Sequence, residues 1–423
     1  KKLLANNEHF FRQKKLGRDV RLTYRVPNPE VERNDAKILL ETLESIPRSY
    51  DAARLFYDED VAPVHEIILP MTTSAEALNR IYHYYRTFVS GKEMELIGPG
   101  TTVGSWIGEF RPKEISVIPL FEDMERLLAS ADIVREYLKD KEVPYQRVFL
   151  ARSDPAVNYG QIGAVLLNKI ALQRLHHLEK ELGVPIYPIL GVGSAPFRGN
   201  MRPETVEHLL RGYPSVQTFT IQSSFKFDHA PDVVRAAIQK INDAPRSAPM
   251  QIDEEKLLPI IRKYIAAYSS QLKTLVEPIN SVARYVPKRR KRKLHTGLFG
   301  YSRNLGEMKL PRAITFTASL YSLGIPPELL GLNALTSYDI EDIKKSYANI
   351  VYDIGRSAEL TNMDSPFFPK ELIPAVKNFI SEDTVNERHK EITSTIAASL
   401  KERPYVDASE EVLRAAHLRG FLG

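Results

Sequence analysis

Cysteine is absent from all 423 residues of the chain, and tryptophan occurs once. The lack of cysteine excludes disulfide bonds, thiolate metal sites and a cysteine nucleophile, and it is consistent with a reducing compartment. Long apolar runs are also lacking, since stretches such as Ile115–Phe121 fall far short of a membrane-spanning helix. We therefore expect a cytoplasmic protein without a membrane segment.

Two common site signatures are missing as well. No pair of histidines has the spacing of a zinc-binding helix, and no glycine-rich dinucleotide turn follows a predicted strand. What the chain does have is a mild basic excess, with a net charge of +5. This balance suits anionic substrates, and by itself it would also suit nucleic acid.

The sharpest charge run is Lys288–Lys293, with the sequence Lys-Arg-Arg-Lys-Arg-Lys. Three interpretations stay open at this point: a solvated surface run, a site for a small anion, or a contact with nucleic acid. The run lacks interleaved aromatic residues and a recognised nucleic-acid-binding fold around it. We therefore do not favour nucleic acid as a partner.

The first half of the chain alternates short β-rich runs with helical patterns, one of which is Ile162–Leu182. The predicted strands are Asp19–Val26, Val64–Pro70, Ile115–Phe121, Arg147–Ala151, Pro185–Leu190 and Val216–Gln222. Alternating strands and helices predict a parallel sheet that is buried on both faces. An open, doubly wound sheet is the structural alternative.

From about Asp253 onward the pattern is helical, beginning with predicted helices at Glu254–Tyr268 and Leu272–Tyr285. A Pro/Ala-rich stretch, Ala244–Met250, separates the two regions and is typical of a linker or loop. We predict an α/β fold in which residues 1–243 form the units of a (β/α)8-type barrel. Residues 253–423 form a large, all-helical addition that completes the site and the oligomer interface.

About six β/α units are visible, whereas an eightfold barrel needs two more. The chain opens with Lys1–Leu4 in what resembles the middle of an amphipathic helix. We therefore expect that an N-terminal segment precedes this sequence and that it supplies part of the barrel.

Charged residues collect where the predicted strands end, and in a parallel barrel these ends share one rim. Glu122 and Asp154 follow consecutive strands, so one cation can lie between them. Carboxylates without cysteine or histidine partners favour Mg²⁺ or Mn²⁺. The alternative is that each acid is only a helix N-cap, a position that acidic residues favour.

A glycine-rich loop, Gly191–Asn200, follows the fifth predicted strand. Such a loop can offer backbone N–H groups to phosphate and can move, carrying Arg198 over a bound substrate. The alternative is an ordinary surface loop. The candidate anion-binding residues, some of which can equally be salt-bridge partners, are Arg25, Arg198, Arg312, Arg152, Gly199 and Gln222.

Five segments together resemble the archaeal-type phosphoenolpyruvate carboxylase family, and the similarity extends over essentially the whole chain. These segments are Ile115–Asp123, Arg147–Gly160, Ile189–Pro203, Thr218–Asp228 and Leu310–Ala318. The resemblance implies a biotin-independent enzyme that irreversibly converts phosphoenolpyruvate and bicarbonate to oxaloacetate and phosphate, through carboxyphosphate and an enolate. It also implies a Mg²⁺ or Mn²⁺ requirement, a barrel surrounded by helices, and a homotetramer.

The resemblance also assigns roles to individual residues. Glu122 and Asp154 match the family's metal ligands, and Arg25 matches an arginine that contacts the phosphate. Arg198 matches the arginine of a mobile loop, and Arg312 matches the arginine of the Leu-Arg-Ala-Ile segment.

Several positions depart from the bacterial and plant enzymes. This chain has Leu190–Ser194 where they have His-Gly-Arg-Gly-Gly, Val157 where they have a lysine, and Leu323 or a neighbour where they have a further arginine. The family's catalytic histidine has no counterpart here, and we expect it in the preceding segment. The rival function is another metal-dependent barrel lyase or aldolase acting on pyruvate-like substrates, which would need no bicarbonate.

Overall fold

The computed structural model describes residues 1–287, 303–305, 308–380, 384–400 and 407–423, with only the backbone described for residues 303–305 and 308. The basic run Lys288–Lys293 lies outside the described residues. Within the described ranges, no helix is both long enough and apolar enough to cross a membrane.

The described residues contain ten short strands, most of them in the first half of the chain. In chain order they are β1 (Tyr24–Arg25), β2 (Glu66–Leu69), β3 (Leu96–Gly98), β4 (Thr101–Thr102), β5 (Ser116–Phe121), β6 (Gln146–Ala151), β7 (Ile186–Gly191), β8 (Thr218–Phe219), β9 (Arg303–Leu305) and β10 (Met308–Leu310). Six of them form the central parallel sheet in the order β1-β2-β5-β6-β7-β8.

Helices surround this sheet and make up most of the second half. In chain order they are α1 (Lys2–Asn6), α2 (Glu8–Gln13), α3 (Ala36–Tyr57), α4 (Ala75–Tyr84), α5 (Val103–Ile107), α6 (Met124–Leu128), α7 (Ser130–Leu138), α8 (Ser153–Leu182), α9 (Val206–Gly212), α10 (Ser223–Phe227), α11 (Pro231–Asp243), α12 (Glu254–Ala283), α13 (Ala313–Ser322), α14 (Ser337–Ser346), α15 (Ile350–Ala358), α16 (Ile373–Lys377), α17 (Glu387–Ser399) and α18 (Ser409–Arg419).

The strand order of the central sheet is also the order of its strands along the chain. A doubly wound sheet reverses its strand order at a switch point, so this topology argues against that alternative. The sheet curls into a parallel half-barrel, which confirms the α/β class. Among the described residues, however, only six strands take part, and β1 and β8 remain its two edges.

Two small antiparallel hairpins were not predicted. One joins β3 to β4, and the other joins β9 to β10 within the second half of the chain. Asn280, on α12, donates a hydrogen bond of 3.0 Å to the backbone oxygen of Lys309, which ties the second hairpin to that helix. The expectation of an all-helical C-terminal portion is therefore wrong in this detail.

Helices α8 and α12 pack against each other and join the two halves of the chain. Each has 30 residues, so α8 begins nine residues earlier than predicted, and α12 merges two predicted helices. Apolar side chains from both helices belong to one core, including Leu166, Leu172, Tyr264 and Leu272. The two regions on either side of the proposed linker thus share a single core.

Gly160 interrupts α8 with a left-handed backbone, at φ +71°, where the phenol of Tyr264 crosses the helix. A Cβ built on Gly160 would lie 2.5 Å from the Tyr264 hydroxyl oxygen. Gly160→Ala is therefore expected to destabilise the fold by about 2–4 kcal/mol, through backbone strain and overpacking. The midpoint of urea unfolding, followed by circular dichroism, measures this loss.

Gly183→Ala is the matched control for this substitution. Gly183 ends α8 at φ +66°, but a Cβ there would meet no atom within 4 Å. It should therefore show only the backbone strain, about 1 kcal/mol. Equal losses at the two positions would contradict the steric role of Tyr264.

Candidate active site

The carboxylate of Glu122 lies at the carboxyl edge of the sheet, directly after β5. Its Oε2 accepts a hydrogen bond of 2.9 Å from the backbone N–H of Met71, which follows β2 closely. Its Oε1 lies 3.8 Å from Nη2 of Arg25, the last residue of β1. The Glu122 side chain is 12% exposed and that of Arg25 is 33% exposed. Three neighbouring strands thus bring an acid and an arginine together, as predicted for a shared rim.

Met71 was not identified from the sequence as part of this site. Its backbone has φ +49°, which is uncommon for a residue with a side chain and costs energy. The side-chain amide of Asn28 holds this turn by donating to the backbone oxygens of Pro70, at 2.9 Å, and Met71, at 3.0 Å. The turn directs the Met71 N–H at Glu122. The residue types in this part of the sequence do not predict such a conformation.

Asp154 lies in the first turn of α8, the helix that follows β6, and β6 is the strand next to β5. Phe121 pairs with Leu150 in the β5–β6 register. Glu122 directly follows Phe121, and Asp154 comes a few residues after Leu150, so both acids follow the ends of paired strands. Neither acid is an N-cap. The cap of α6 is Asp123, whose Oδ1 accepts from the Arg126 N–H at 2.9 Å, and the cap of α8 is Arg152. The simple capping interpretation therefore does not account for Glu122 or Asp154.

The chemistry of these donors fits a hard divalent cation. Two carboxylates at one sheet edge match Mg²⁺, which is usually held by one or two carboxylates together with water and substrate oxygens. In the described ranges, no group of three or more His, Asp or Glu side chains could hold a metal ion. An all-protein cage is thus not found there, whereas a two-carboxylate site remains compatible with the structure.

The loop Gly191–Asn200, called the arginine loop below, is packed rather than open. Several backbone bonds close it, among them Gly193 N–H to Arg198 O at 2.8 Å and Asn200 N–H to Ala195 O at 2.9 Å, and the N–H of Met201, just after the loop, donates to Gly193 O at 2.8 Å. Residues 192–198 are all buried, and Val192, Ala195 and Phe197 are fully enclosed. This burial argues against the ordinary surface loop that was the alternative, and the expected movement of Arg198 over a substrate stays a prediction.

Arg198 is held inside this loop with only 4% of its surface exposed. Its Nη1 donates to the backbone oxygen of Gly423 at 2.8 Å, and its Nη2 donates to Oε1 of Gln222 at 2.9 Å. Within the described residues, its Nε has no hydrogen-bond partner. Burial lowers the pKa of Arg198 to about 10, so the side chain stays charged at neutral pH. A buried guanidinium with a spare N–H is suited to receive an anion.

Gly193 allows this position of Arg198. A Cβ on Gly193 would lie 2.7 Å from the guanidinium carbon, so a larger residue would displace the side chain. Gly199 has φ +114°, and a Cβ there would lie 2.6 Å from Val192. Two of the loop's glycines are therefore explained by close packing, in addition to any role toward phosphate.

The whole chain was also compared with known protein families. The family model described as phosphoenolpyruvate carboxylase matches residues 1–423. The chain belongs to the phosphoenolpyruvate carboxylase family. Members of this family are carboxy-lyases, which makes the chain an enzyme of that class.

Named relatives cover the same span. Phosphoenolpyruvate carboxylase of Methanothermobacter thermautotrophicus is 54% identical over 423 residues, that of Methanospirillum hungatei 50% over 424, and that of Pyrococcus abyssi 48% over 432. Each alignment covers 100% of this chain and 87% of the relative. The resemblance seen in the sequence is thereby confirmed.

Two further predicted site residues of this phosphoenolpyruvate carboxylase family member begin helices. Arg152 is 1% exposed and lies under the arginine loop, donating from Nη1 to the backbone oxygen of Phe197 at 3.0 Å. Arg312 is exposed and occupies the N-cap position of α13, without a side-chain capping bond. Gly423 packs against the first turn of α13 and also receives Arg198, so it links the two arginine-bearing segments. The sequence analysis did not identify Gly423 in this position.

The departures from the bacterial and plant pattern fall in the apolar core. Val157, Leu190 and Leu323 are all fully buried. The backbone oxygen of Val157 accepts a 2.8 Å hydrogen bond from the Tyr268 hydroxyl, which fixes this part of α8. These positions therefore serve packing here, since a charged side chain would be expensive to bury at any of them.

Proposed function

We propose that this protein catalyses the irreversible, biotin-independent carboxylation of phosphoenolpyruvate by bicarbonate, giving oxaloacetate and phosphate. The family match over residues 1–423 carries the proposal. The ion pair of Arg25 and Glu122 at the carboxyl edge of the parallel sheet supports it, because active sites of such sheets lie at this edge.

Glu122 and Asp154 are the residues that would hold Mg²⁺ or Mn²⁺. When bound, such a cation supplies positive charge that stabilises negative charge developing on the enolate oxygen of the substrate. The Met71 N–H bond and the nearby Arg25 would orient the Glu122 carboxylate for this task.

Arg25 and Arg312 would hold the phosphoryl and bicarbonate oxygens and so orient two anions that otherwise repel each other. A bicarbonate oxygen attacks phosphorus, and the bond from phosphorus to the enol oxygen breaks. The products of this step are carboxyphosphate and the enolate of pyruvate. Carboxyphosphate then splits into CO₂ and phosphate, and the enolate carbon forms the new bond to CO₂.

The arginine loop would exclude water from carboxyphosphate, which hydrolyses readily. Arg198 would contact the reacting anions after exchanging its bonds to Gly423 and Gln222 for substrate oxygens. Gly199 would contribute backbone, and Arg152 would act mainly by supporting the loop at Phe197.

A coupled assay tests the function directly. Purified protein with Mn²⁺ and phosphoenolpyruvate is expected to release phosphate and form oxaloacetate in equal amounts, and only when bicarbonate is supplied. The Asp154→Asn protein is the control for contaminating activity. Phosphate release that ignores bicarbonate, or pyruvate chemistry without phosphate release, would favour the rival barrel lyase or aldolase.

Further parts of the proposal concern architecture and assembly. We place the half-barrel within a (β/α)8-type barrel, because its strands are parallel and follow chain order.

We also propose that the protein forms a homotetramer. Sedimentation velocity, which gives the mass of the assembly, tests this. Exposed apolar side chains concentrate between residues 88 and 107, where Met94 and Leu96 are each 73% exposed and Trp106 is 71% exposed. The predicted interface in residues 253–423 and the cytoplasmic location stay predictions.

A further inference from the structure

A polar recess lies beneath the arginine loop, between α8, α9 and the segment from α14 to α15. Its volume is about 390 Å³ when the part open to solvent is counted. The space inside it that a water-sized ligand can occupy is about 20 Å³. Glu122, Asp154 and Arg25 are not among the described residues that line it. We call it the Lys169 cavity, and it is separate from the acidic pair at the sheet edge.

Lys169 reaches this cavity from the middle of α8 with 4% of its surface exposed. Its Nζ donates to the backbone oxygen of Gly212 at 2.6 Å and lies 3.4 Å from the sulfur of Met250. The ring of Tyr213 is 4.7 Å away. Among the described residues, no carboxylate forms an ion pair with this lysine. Burial lowers the pKa of Lys169 to about 7, because the enclosed surroundings disfavour its charged form.

Arg152 lines the same cavity from the first turn of α8 and is 1% exposed. Its Nη1 is used by Phe197, whereas its Nε is buried without a partner in the described structure. One acid faces the cavity, Asp353, whose Oδ2 accepts from the Tyr347 hydroxyl at 2.5 Å. Burial raises the pKa of Asp353, and the bond from Tyr347 and the charge of Arg152 oppose this shift.

The charges around the cavity do not balance when Lys169 is protonated. The titratable groups that line it are Arg152, Lys169, His208, Tyr213, Tyr347 and Asp353. Apart from His208, two cations face one carboxylate when Lys169 is protonated, and a buried unpaired charge is costly. The protein can relieve this cost in two ways, either by losing the Lys169 proton or by taking up an anion.

We infer that the Lys169 cavity binds one small oxyanion, no larger than inorganic phosphate or sulfate, between the ammonium of Lys169 and the free Nε of Arg152. The amides of Asn200 and Asn349 lie on the cavity wall, where Asn200 bonds Asp353 and Asn349 donates to the backbone oxygen of His208 at 2.6 Å; the second N–H of each amide can complete the hydrogen bonds of the anion. A single water needs about 10–15 Å³ of such room, so the space of about 20 Å³ suits one compact anion.

The position of the cavity connects this anion to the arginine loop. Pro196, Gly199 and Asn200 form one wall, and Arg152 holds the loop backbone at Phe197. A bound anion would therefore stabilise the packed state of the loop in which Arg198 faces Gly423. This role does not depend on the proposed carboxylation, because binding is measurable without substrate or metal.

The dependence on pH follows from linkage. The anion binds the protonated form of Lys169, so its affinity is highest below the pKa of the free lysine and falls as the pH rises above it. The expected slope is about tenfold per pH unit above that pKa, with uptake of one proton from solvent for each anion bound.

Calorimetric titration with sulfate tests the inference, in excess EDTA so that divalent cations are absent. Sulfate keeps its charge over this range, so a proton taken up comes from buffer and must reside on the protein. The wild-type chain is expected to bind one sulfate, more tightly at pH 6.5 than at pH 8.5. Repeating the titration in buffers of different ionisation enthalpy counts the protons.

Variants separate this site from other anion contacts. Lys169→Met should weaken sulfate binding by at least about tenfold and abolish the proton uptake. Lys141→Met is the matched control, since Lys141 is a half-buried lysine that bonds the Tyr137 backbone and does not line the cavity. Asp353→Asn should bind sulfate more tightly, because it removes the only carboxylate facing the site among the described residues. That gain cannot arise from misfolding.

Three results would overturn the inference: no saturable sulfate binding at pH 6.5, unchanged binding in Lys169→Met, or equal or weaker binding in folded Asp353→Asn. Phosphate release with bicarbonate is measured separately, so a failure here leaves the proposed carboxylase activity untouched, and the reverse also holds.

Discussion

Asp154→Asn is expected to lower the turnover of phosphoenolpyruvate by about a thousandfold or more, which corresponds to about 4 kcal/mol of transition-state stabilisation. The substitution keeps the size of the side chain and one oxygen but removes its negative charge. With Glu122 alone left at the sheet edge, cation affinity should fall together with turnover. Mn²⁺ binding, measured from the electron paramagnetic resonance signal of free Mn²⁺, gives a readout that does not depend on activity.

Asp123→Asn is the control for this result. Asp123 lies next to Glu122, but its carboxylate caps α6 through the Arg126 N–H, and asparagine caps helices about as well. The control should therefore keep both Mn²⁺ affinity and turnover. If Asp154→Asn binds Mn²⁺ and turns over like the wild type, the assignment of Asp154 as a ligand is wrong.

Arg198→Ala is expected to reduce turnover by about a hundred- to a thousandfold, as is typical when one donor to a developing anion is removed. The Michaelis constant for phosphoenolpyruvate should change less, because the contacts proposed for Arg25 and Arg312 would remain. Since the loop would protect carboxyphosphate poorly, more pyruvate should be released per oxaloacetate formed. The ratio of pyruvate to oxaloacetate, followed with two coupled dehydrogenases, measures this uncoupling.

Arg211→Ala removes an exposed arginine from α9 and controls for a general loss of positive charge. It should behave like the wild type. Arg198→Lys tests the geometry, because lysine retains the charge without the paired N–H groups that reach Gly423 and Gln222. Equal losses in substrate binding and in turnover for Arg198→Ala would indicate a plain binding role.

The sequence predicted every strand of the central sheet. The predicted runs were too long for β1, β2 and β8, whereas they missed the first residue of β6 and the last residue of β7. The run Asp19–Val26 contains only the two-residue strand Tyr24–Arg25, because neighbouring residues find no further ladder partners there. The strand pairs at Leu96–Thr102 and at residues 303–305 and 308–310 were not predicted. Their strands are two or three residues long, and such segments carry no usable periodicity.

The site was predicted in part, and the limits have physical causes. Glu122 and Arg25 were expected at one edge, and the parallel register brings them within 3.8 Å. The contact between Arg198 and Gly423 joins residues 225 positions apart, which no local pattern can show. Lys169 lies on a helix face that resembles ordinary core from the sequence, and only the fold places it against a polar recess.

By itself, the sequence determined the α/β class, the membership in a carboxylase family and the acids and arginines that follow the strands. These are set by residue type, periodicity and motif order, all of which are local along the chain. Only the tertiary structure decided that the arginine loop packs around Arg198, that Met71 turns its N–H to Glu122, and that Arg152 lies beneath the loop. These depend on which distant surfaces become buried together, because burial decides which polar groups must find partners.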